Sequence, residues 1–147
     1  MNIETKFLGE VDIQKEDIIT FENGLPGFPD NKSYILLGLD ADLPIALLQS
    51  TEEASLGFVV AYPFAFKKDY VFDLSEEDKN ELKLSDEKDV AVYAVLTLKE
   101  IFSDSTMNLL APIIINTKEK LGKQIVLHDS EQYPLRYQVG VAEGSVK

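Results

Sequence analysis

Carboxylates are the side chains through which this chain could most readily perform chemistry. The sequence has 26 Asp and Glu residues, a single histidine and no cysteine. Paired carboxylates can act as acid and base or bind a cation. Asp40 and Asp42 flank one alanine, a spacing seen at the start of calcium loops, but the later ligands and the closing Glu of such a loop are absent. A turn is therefore the favoured interpretation.

The histidine offers little further chemistry. His128 precedes Asp129 directly, and neighbouring residues of a strand face opposite ways, so the pair is poorly placed to act together. The chain contains no Gly-rich phosphate loop, no nucleophile elbow and no His/Cys metal spacing. We therefore expect no catalytic residue, no metal and no cofactor. A small carboxylate-based enzyme or metal-binding barrel stays as an alternative.

Net charge points to the kind of partner. The formal net charge is −12, and Arg136 is the only arginine. Nucleic-acid binding requires clustered Lys and Arg, so direct binding to nucleic acid is not expected. A basic protein would be attracted instead, with an association rate that falls as salt rises. Two other interpretations remain open: acidity that only maintains solubility, and an acidic mimic of nucleic acid that inhibits an RNA-binding protein.

The acidity is concentrated in residues 73–89, which hold eight acids and three lysines, a net charge of −5. A charged run of this kind is usually a solvated face, but it can also be an interface with a basic partner. The candidate acidic face consists of Asp73, Glu76, Glu77, Asp78 and Glu81.

Short β-prone segments separated by Gly, Pro, Asn and Asp make up most of the chain. Residues 90–96 are apolar throughout, which predicts a central strand covered on both faces. Strands are also predicted at residues 5–7, 11–13, 18–21, 34–39, 46–49, 57–61, 70–73, 108–116 and 123–127. One helix is predicted from an N-cap at Ser75 to about Leu84. The fold class is therefore mainly β: a small antiparallel β-barrel-like domain with one or two short helices.

Two segments look built to fix shape. In residues 21–28, Pro26 and Gly27 have the residue types that a type II turn requires at its two central positions. In residues 108–116, a β-branched run lies between Asn108 and Asn116, with Pro112 near its start, where a missing N–H is tolerated only at an edge or bulge. We assign these five residues to fold-defining turns.

Five large apolar residues are candidates for a docking surface. Leu25 and Phe28 bracket the Pro-Gly turn, where they could form core or an exposed apolar corner. Tyr62, Phe64 and Phe66 recur at every second residue, and in a strand they would share one face. An exposed aromatic row would mark an interface, whereas burial would make it core.

The two shape-fixing segments, in this order and at this separation, resemble the FliW family of flagellar assembly factors. Further similarity lies between and after them, in Leu48-Gln49-Ser50, in Phe58-Val59-Val60 with Pro63, in Asp69-Tyr70 and in Lys120–Leu127. The similarity extends from about the N-terminus to Arg136. The ordered set is specific, although each piece alone is weak.

The resemblance implies a β-barrel-like fold and a role without catalysis. It implies that the chain binds flagellin and also CsrA, a small basic dimeric protein that binds RNA and represses flagellin translation. Flagellin would sequester the protein until it is exported, and the released protein would then bind CsrA and relieve repression. The action on CsrA would be allosteric rather than RNA mimicry.

We expect one FliW-like β domain over residues 1–139 and a flexible tail at residues 140–147. The N-terminal residues lack the basic-then-apolar pattern of a signal peptide, and no apolar run is long enough to span a bilayer. We therefore expect a soluble cytoplasmic protein without membrane contact.

Overall fold

A computed structural model describes residues 1–39 and 42–141, and in this part of the chain the fold is mainly β with one short α-helix. Five short 3-10 helices accompany it, at Lys15–Asp17, Pro63–Ala65, Glu87–Asp89, Phe102–Asp104 and Val139–Val141. The regular elements are β1 (Asn2–Glu4), β2 (Glu10–Asp12), β3 (Ile19–Thr20), β4 (Ser33–Gly38), β5 (Ile45–Ser50), β6 (Gly57–Ala61), α1 (Glu76–Glu81), β7 (Val90–Thr97), β8 (Thr106–Met107), β9 (Ile113–Asn116), β10 (Leu121–Gln124) and β11 (Tyr137–Gln138).

Strand pairing runs around a ring. The order β7-β6-β5-β4-β3-β10-β9 returns to β7 through a β7–β9 pairing, while β8 and β11 extend from the far end of β7. The predicted mainly β, barrel-like fold is thus confirmed. One pairing differs from the antiparallel expectation, because β3 and β10 run parallel through Thr20 and Leu121.

The predicted central strand is β7, and it has apolar contacts on both faces. Ala91, Tyr93 and Val95 pack toward a core that contains Phe21, Tyr34 and Leu48. The alternate residues Val92, Ala94 and Leu96 belong to a second core on the other face. This second core is covered by the chain between β6 and α1 and by the residues after β10. A continuous apolar strand is what two covered faces require.

A third, smaller core covers β4. Ile3 and Ile13, from the N-terminal hairpin and the residue after it, pack against Ile35. The strand predicted at residues 5–7 is absent, because these residues form the bend that joins β1 to β2. There the N–H of Lys6 donates to Gln49 Oε1 at 2.9 Å, so the bend is tied to the buried Gln49.

Helix α1 begins as predicted and ends early. The Ser75 hydroxyl accepts a hydrogen bond from the N–H of Asp78 at 3.0 Å, which caps the first turn. The helix ends at Glu81, before the expected end near Leu84. Lys83 has a φ of +54°, and this left-handed conformation turns the chain away from the helix axis.

Three other predicted strands differ in extent. Residues 70–73 pair with no strand in the part of the chain that the structure describes. In residues 108–116 only Ile113–Asn116 is strand, because the Asn108 side chain accepts from the N–H groups of Leu110 and Ala111 and closes a turn. The strand predicted at 123–127 begins earlier, at Leu121, and ends at Gln124.

The Pro-Gly segment forms the turn expected from its sequence. Gly27 has a φ of +88°, and the N–H of Phe28 donates to the carbonyl of Leu25 at 2.8 Å. A positive φ at the third turn position identifies type II. Of the predicted C-terminal tail, Gly140 and Val141 belong to a 3-10 helix, and residues 142–147 lie outside the described residues, as does Asp40.

Candidate partner-binding groove

A groove of about 600 Å³ lies between the aromatic segment after β6 and the acidic segment around α1. Its floor is the outer face of β7 and β9, where Val92 and Ile114 are buried. Its apolar wall is formed by Tyr62, Phe64, Tyr70, Phe72, Leu74 and Leu84. Its polar rim is formed by Asp73, Lys79, Ser85, Asp86 and Glu87. The fold thus joins the two regions that the sequence analysis had selected separately.

Interlocked rings support the apolar wall. Tyr62 lies edge-on to Phe64 with centroids 5.3 Å apart, and Phe64 lies 5.7 Å from Tyr70, which lies 5.4 Å from Phe72. The Tyr70 hydroxyl donates to the carbonyl of Leu109 at 2.7 Å, and burial raises the pKa of this hydroxyl. Tyr70 therefore stays neutral and holds the wall against the turn that precedes β9.

The rim carries a negative charge. Asp73, Asp86 and Glu87 are exposed. The one lysine in the lining, Lys79, lies 3.4 Å from Glu76, so its charge is already partly offset. The groove therefore presents an apolar interior beside an acidic edge, which suits a segment with both apolar and basic side chains.

The candidate acidic face divides into two sets. Asp78 and Glu81 both accept hydrogen bonds from Lys123 on β10, at 2.6 and 2.9 Å. The pKa of Lys123 is raised by its hydrogen bond to Asp78 first and to Glu81 second. These two carboxylates therefore fasten α1 to the sheet, and the single charge of Lys123 offsets half of their combined charge.

The other three acids do not contact Lys123, although Glu76 is partly offset by Lys79 at 3.4 Å. Asp73, Glu76 and Glu77 are exposed, and Asp73 lies directly in the groove lining. The acidic segment also supplies Asp86 and Glu87 to the groove lining, although neither residue belongs to the candidate acidic face. Asp86 and Glu87 are far from Asp73 in the sequence, so only the fold could show that all three line the same groove.

The aromatic row does not form as expected. Alternation along a strand was wrong for Tyr62, Phe64 and Phe66, because Pro63–Ala65 is a 3-10 helix. Tyr62 is 47% exposed and lines the groove with the half-buried Phe64. Phe66 lies outside the lining, and its ring is tilted against that of Phe102 with centroids 6.2 Å apart.

The apolar pair at the Pro-Gly turn is also divided. Leu25 is 4% exposed and belongs to the core that contains Phe21 and Tyr34, so it cannot contribute to a docking surface in this conformation. Phe28 is 37% exposed and lies edge-on to Phe58 with centroids 5.8 Å apart. Neither residue lines the groove.

The asparagines fix the chain on either side of β9. Asn116 is 2% exposed, and its amide donates to the carbonyls of Leu82 and Lys83 at 2.7 and 3.2 Å. Its Oδ1 accepts from the N–H groups of Lys118 and Glu119, both at 3.0 Å. One side chain thus caps the end of α1 and shapes the β9–β10 turn. Asn108 shapes the turn before β9, and the buried Pro112 precedes the strand.

The histidine pair does not form a site. His128 is exposed with a φ of +69°, and Asp129 Oδ1 accepts from the backbone N–H groups of Glu131 and Gln132. Among the described residues, no three His, Cys, Asp or Glu side chains are grouped so as to hold a metal ion. No helix within the described ranges has the length and hydropathy to cross a membrane.

Fold and groove together define a small, mainly β protein with one groove that is apolar inside and acidic at its rim. The family model described as FliW protein matches residues 2–139. The chain is 45% identical to the flagellar assembly factor FliW of an Exiguobacterium species over 147 residues, all of both chains. It is 45% identical to the same factor from Bacillus subtilis over 140 residues, 95% of this chain and 97% of the other.

A solved structure gives the same result. The crystal structure of a flagellar assembly factor FliW superposes with a TM-score of 0.88 and 39% sequence identity, covering 95% of this chain and 96% of the other. The chain therefore belongs to the FliW family of flagellar assembly factors.

Proposed function

We propose that this chain is a non-enzymatic cytoplasmic regulator that binds flagellin and, in its absence, binds and antagonises CsrA. The observation that carries the proposal is that a chain matching the FliW family over residues 2–139 places apolar and acidic residues around one groove. Flagellin level would thereby be coupled to flagellin translation.

Electrostatics supports a basic partner such as CsrA. The net charge of −12 acts over long range, and the exposed acids Asp73, Glu76 and Glu77 place part of it beside the groove. Complementary charge raises the association rate more than it raises affinity, and salt weakens the effect. Antagonism of CsrA would therefore begin with fast, salt-sensitive encounter.

The apolar lining supports flagellin, whose terminal segments are amphipathic. Exposed aromatic and aliphatic side chains in a concave site are typical of peptide-binding grooves. If both partners use this surface, their complexes exclude each other. Thermodynamic linkage requires flagellin to weaken CsrA binding by the factor with which CsrA weakens flagellin binding.

Charge removal at the rim tests the CsrA half of the proposal. Reversing the charges of Glu76, Glu77 and Glu81 together would mix a change of charge with a change of stability, because Glu81 accepts a hydrogen bond from Lys123. The better variant, called the rim variant, combines Asp73→Asn on the rim with Glu76→Gln and Glu77→Gln on the adjacent first turn of α1. It leaves the ion pairs of Lys123 intact and removes only the exposed pair of Glu76 with Lys79. We expect the CsrA association rate at low salt to fall about tenfold or more.

A matched variant separates local from overall charge. Glu4→Gln, Glu16→Gln and Glu100→Gln remove the same number of charges from exposed positions outside the groove lining. Stopped-flow association measured over a range of salt concentrations should show a large drop only for the rim variant. Equal rates for the two variants would contradict a rim-directed encounter with CsrA.

A further inference from the structure

Tyr70–Leu74, the segment that crosses the groove wall, has the sequence of a strand without a strand partner. Its first three residues, Tyr70, Val71 and Phe72, are β-prone, and its course contains neither a turn nor a bend. Burial alternates along it: Tyr70 is buried, Val71 and Asp73 are exposed, and Phe72 and Leu74 are half-buried. This period of two is the signature of an extended chain with one face packed.

Most hydrogen-bonding groups of this backbone are unpaired. The N–H of Tyr70 donates to the carbonyl of Lys67, and the carbonyl of Val71 accepts from the Tyr133 hydroxyl at 2.6 Å. Within the described residues, the backbone N–H and C=O groups of Phe72, Asp73 and Leu74 have no protein partner. Backbone groups in this state are a template for another chain.

Tyr133 identifies which edge of the segment is open. In a strand, the N–H and C=O of one residue point to the same edge, and those of the next residue point to the opposite edge. Since Tyr133 occupies the edge used by Val71, the groups of Phe72 and Leu74 point to the other edge. That edge is not covered by any strand of the described chain.

We propose that Tyr70–Leu74 is an acceptor strand for β-augmentation, and that its occupant is an extended segment of a basic protein in which apolar and cationic side chains alternate. Main-chain pairing would supply affinity, and the alternate side chains would supply specificity. Apolar side chains of the added strand enter the groove of about 600 Å³, a size within the usual range for ligand sites. Cationic side chains meet Asp73, Asp86 and Glu87 on the rim.

This inference rests on the proposed function only for the identity of the natural partner, which would be CsrA. The acceptor strand itself can be tested with a synthetic peptide, about seven residues long, in which lysine alternates with valine. Two control peptides accompany it. In one, glutamate replaces lysine; in the other, alternate backbone nitrogens are methylated, which removes main-chain donors and leaves the side chains unchanged.

Amide exchange measured by NMR on the full chain is the direct readout. In the free protein the N–H groups of Phe72 and Leu74 should exchange fast because they are unpaired. At a lysine–valine peptide concentration of about 100 Kd, exchange at these two amides should slow by about a hundredfold. The methylated and the glutamate peptides should bind at least about tenfold more weakly. Asp73→Lys should weaken lysine–valine peptide binding about fivefold, while Glu16→Lys leaves it unchanged.

The same measurement with CsrA separates the two proposals. CsrA that binds and protects Phe72 and Leu74 supports both. CsrA that binds without slowing exchange at either amide overturns the acceptor strand and leaves the proposed function intact. Peptide-induced protection without any CsrA binding supports the acceptor strand and contradicts the proposed function. Absence of peptide binding, or peptide binding with unchanged exchange at Phe72 and Leu74, overturns the acceptor strand.

Discussion

Asn116→Ala should strongly destabilise the chain beside the groove. Asn116 holds four backbone groups, two carbonyls at the end of α1 and two N–H groups in the β9–β10 turn. The bond to the Leu82 carbonyl is buried, so its loss leaves an acceptor without water and costs about 1–3 kcal/mol. The other three bonds are partly buried, and water replaces them at about 0.5–1 kcal/mol each. The total loss of unfolding free energy is therefore about 2.5–6 kcal/mol.

Urea unfolding followed by circular dichroism measures this loss. With an m-value of about 2 kcal/mol/M, the midpoint should fall by about 2 M while the slope stays constant. Asn80→Ala is the matched control, because Asn80 is exposed on α1, the helix whose end Asn116 caps, and its side chain makes no hydrogen bond within the described structure. It should change stability by less than about 0.5 kcal/mol. A loss below about 1 kcal/mol in Asn116→Ala would refute the role assigned to this side chain.

Three further predictions concern the turn, the barrel interior and the helix tether. Gly27→Val should lower the free energy of unfolding by about 1–2 kcal/mol, because a β-branched residue resists a φ of +88°, and Gly27→Asn should lower it less. Equal melting temperatures for the two variants would mean that the turn tolerates any residue. Gly122→Ala should destabilise by about 1–3 kcal/mol, because its Cβ would clash with the buried ring of Phe21, whereas a Cβ at Gly38 meets nothing within 4 Å. Similar urea midpoints for Gly122→Ala and Gly38→Ala would contradict this. The pKa of Lys123 is raised in the fold, so its ion pairs stabilise the fold fully below the usual lysine pKa of 10.5, and this stabilisation is lost as pH rises through the raised value. Lys123→Met should remove that part of the alkaline pH dependence of the melting temperature. A melting temperature with the same pH profile in the variant would argue against the tether.

Local chemistry made several elements predictable. The apolar run of β7 indicated two covered faces before any neighbour was known, and both faces are packed. Ser75 marked the start of α1, and Pro26 with Gly27 marked the type II turn, because a cap and a turn depend on residues within a few positions.

Contacts between residues far apart in the sequence could not be predicted from local residue patterns. Residues 70–73 have the composition of a strand, but a strand also needs a neighbouring strand to pair with. The sequence alone could not show that no described strand lies beside them. Leu25 and Phe28 flank the same turn and look equivalent in sequence, yet Leu25 is buried in the core and Phe28 lies at the surface. Asp78 and Glu81 looked like their exposed neighbours until β10 brought Lys123 to them, 45 and 42 residues away.

Calorimetric titration with CsrA, before and after saturation with flagellin, tests the partner switch most directly. The proposed function predicts that CsrA binds the free protein and that binding disappears once flagellin occupies it, because the two complexes exclude each other. CsrA binding that persists undiminished on the flagellin-saturated protein would contradict the switch.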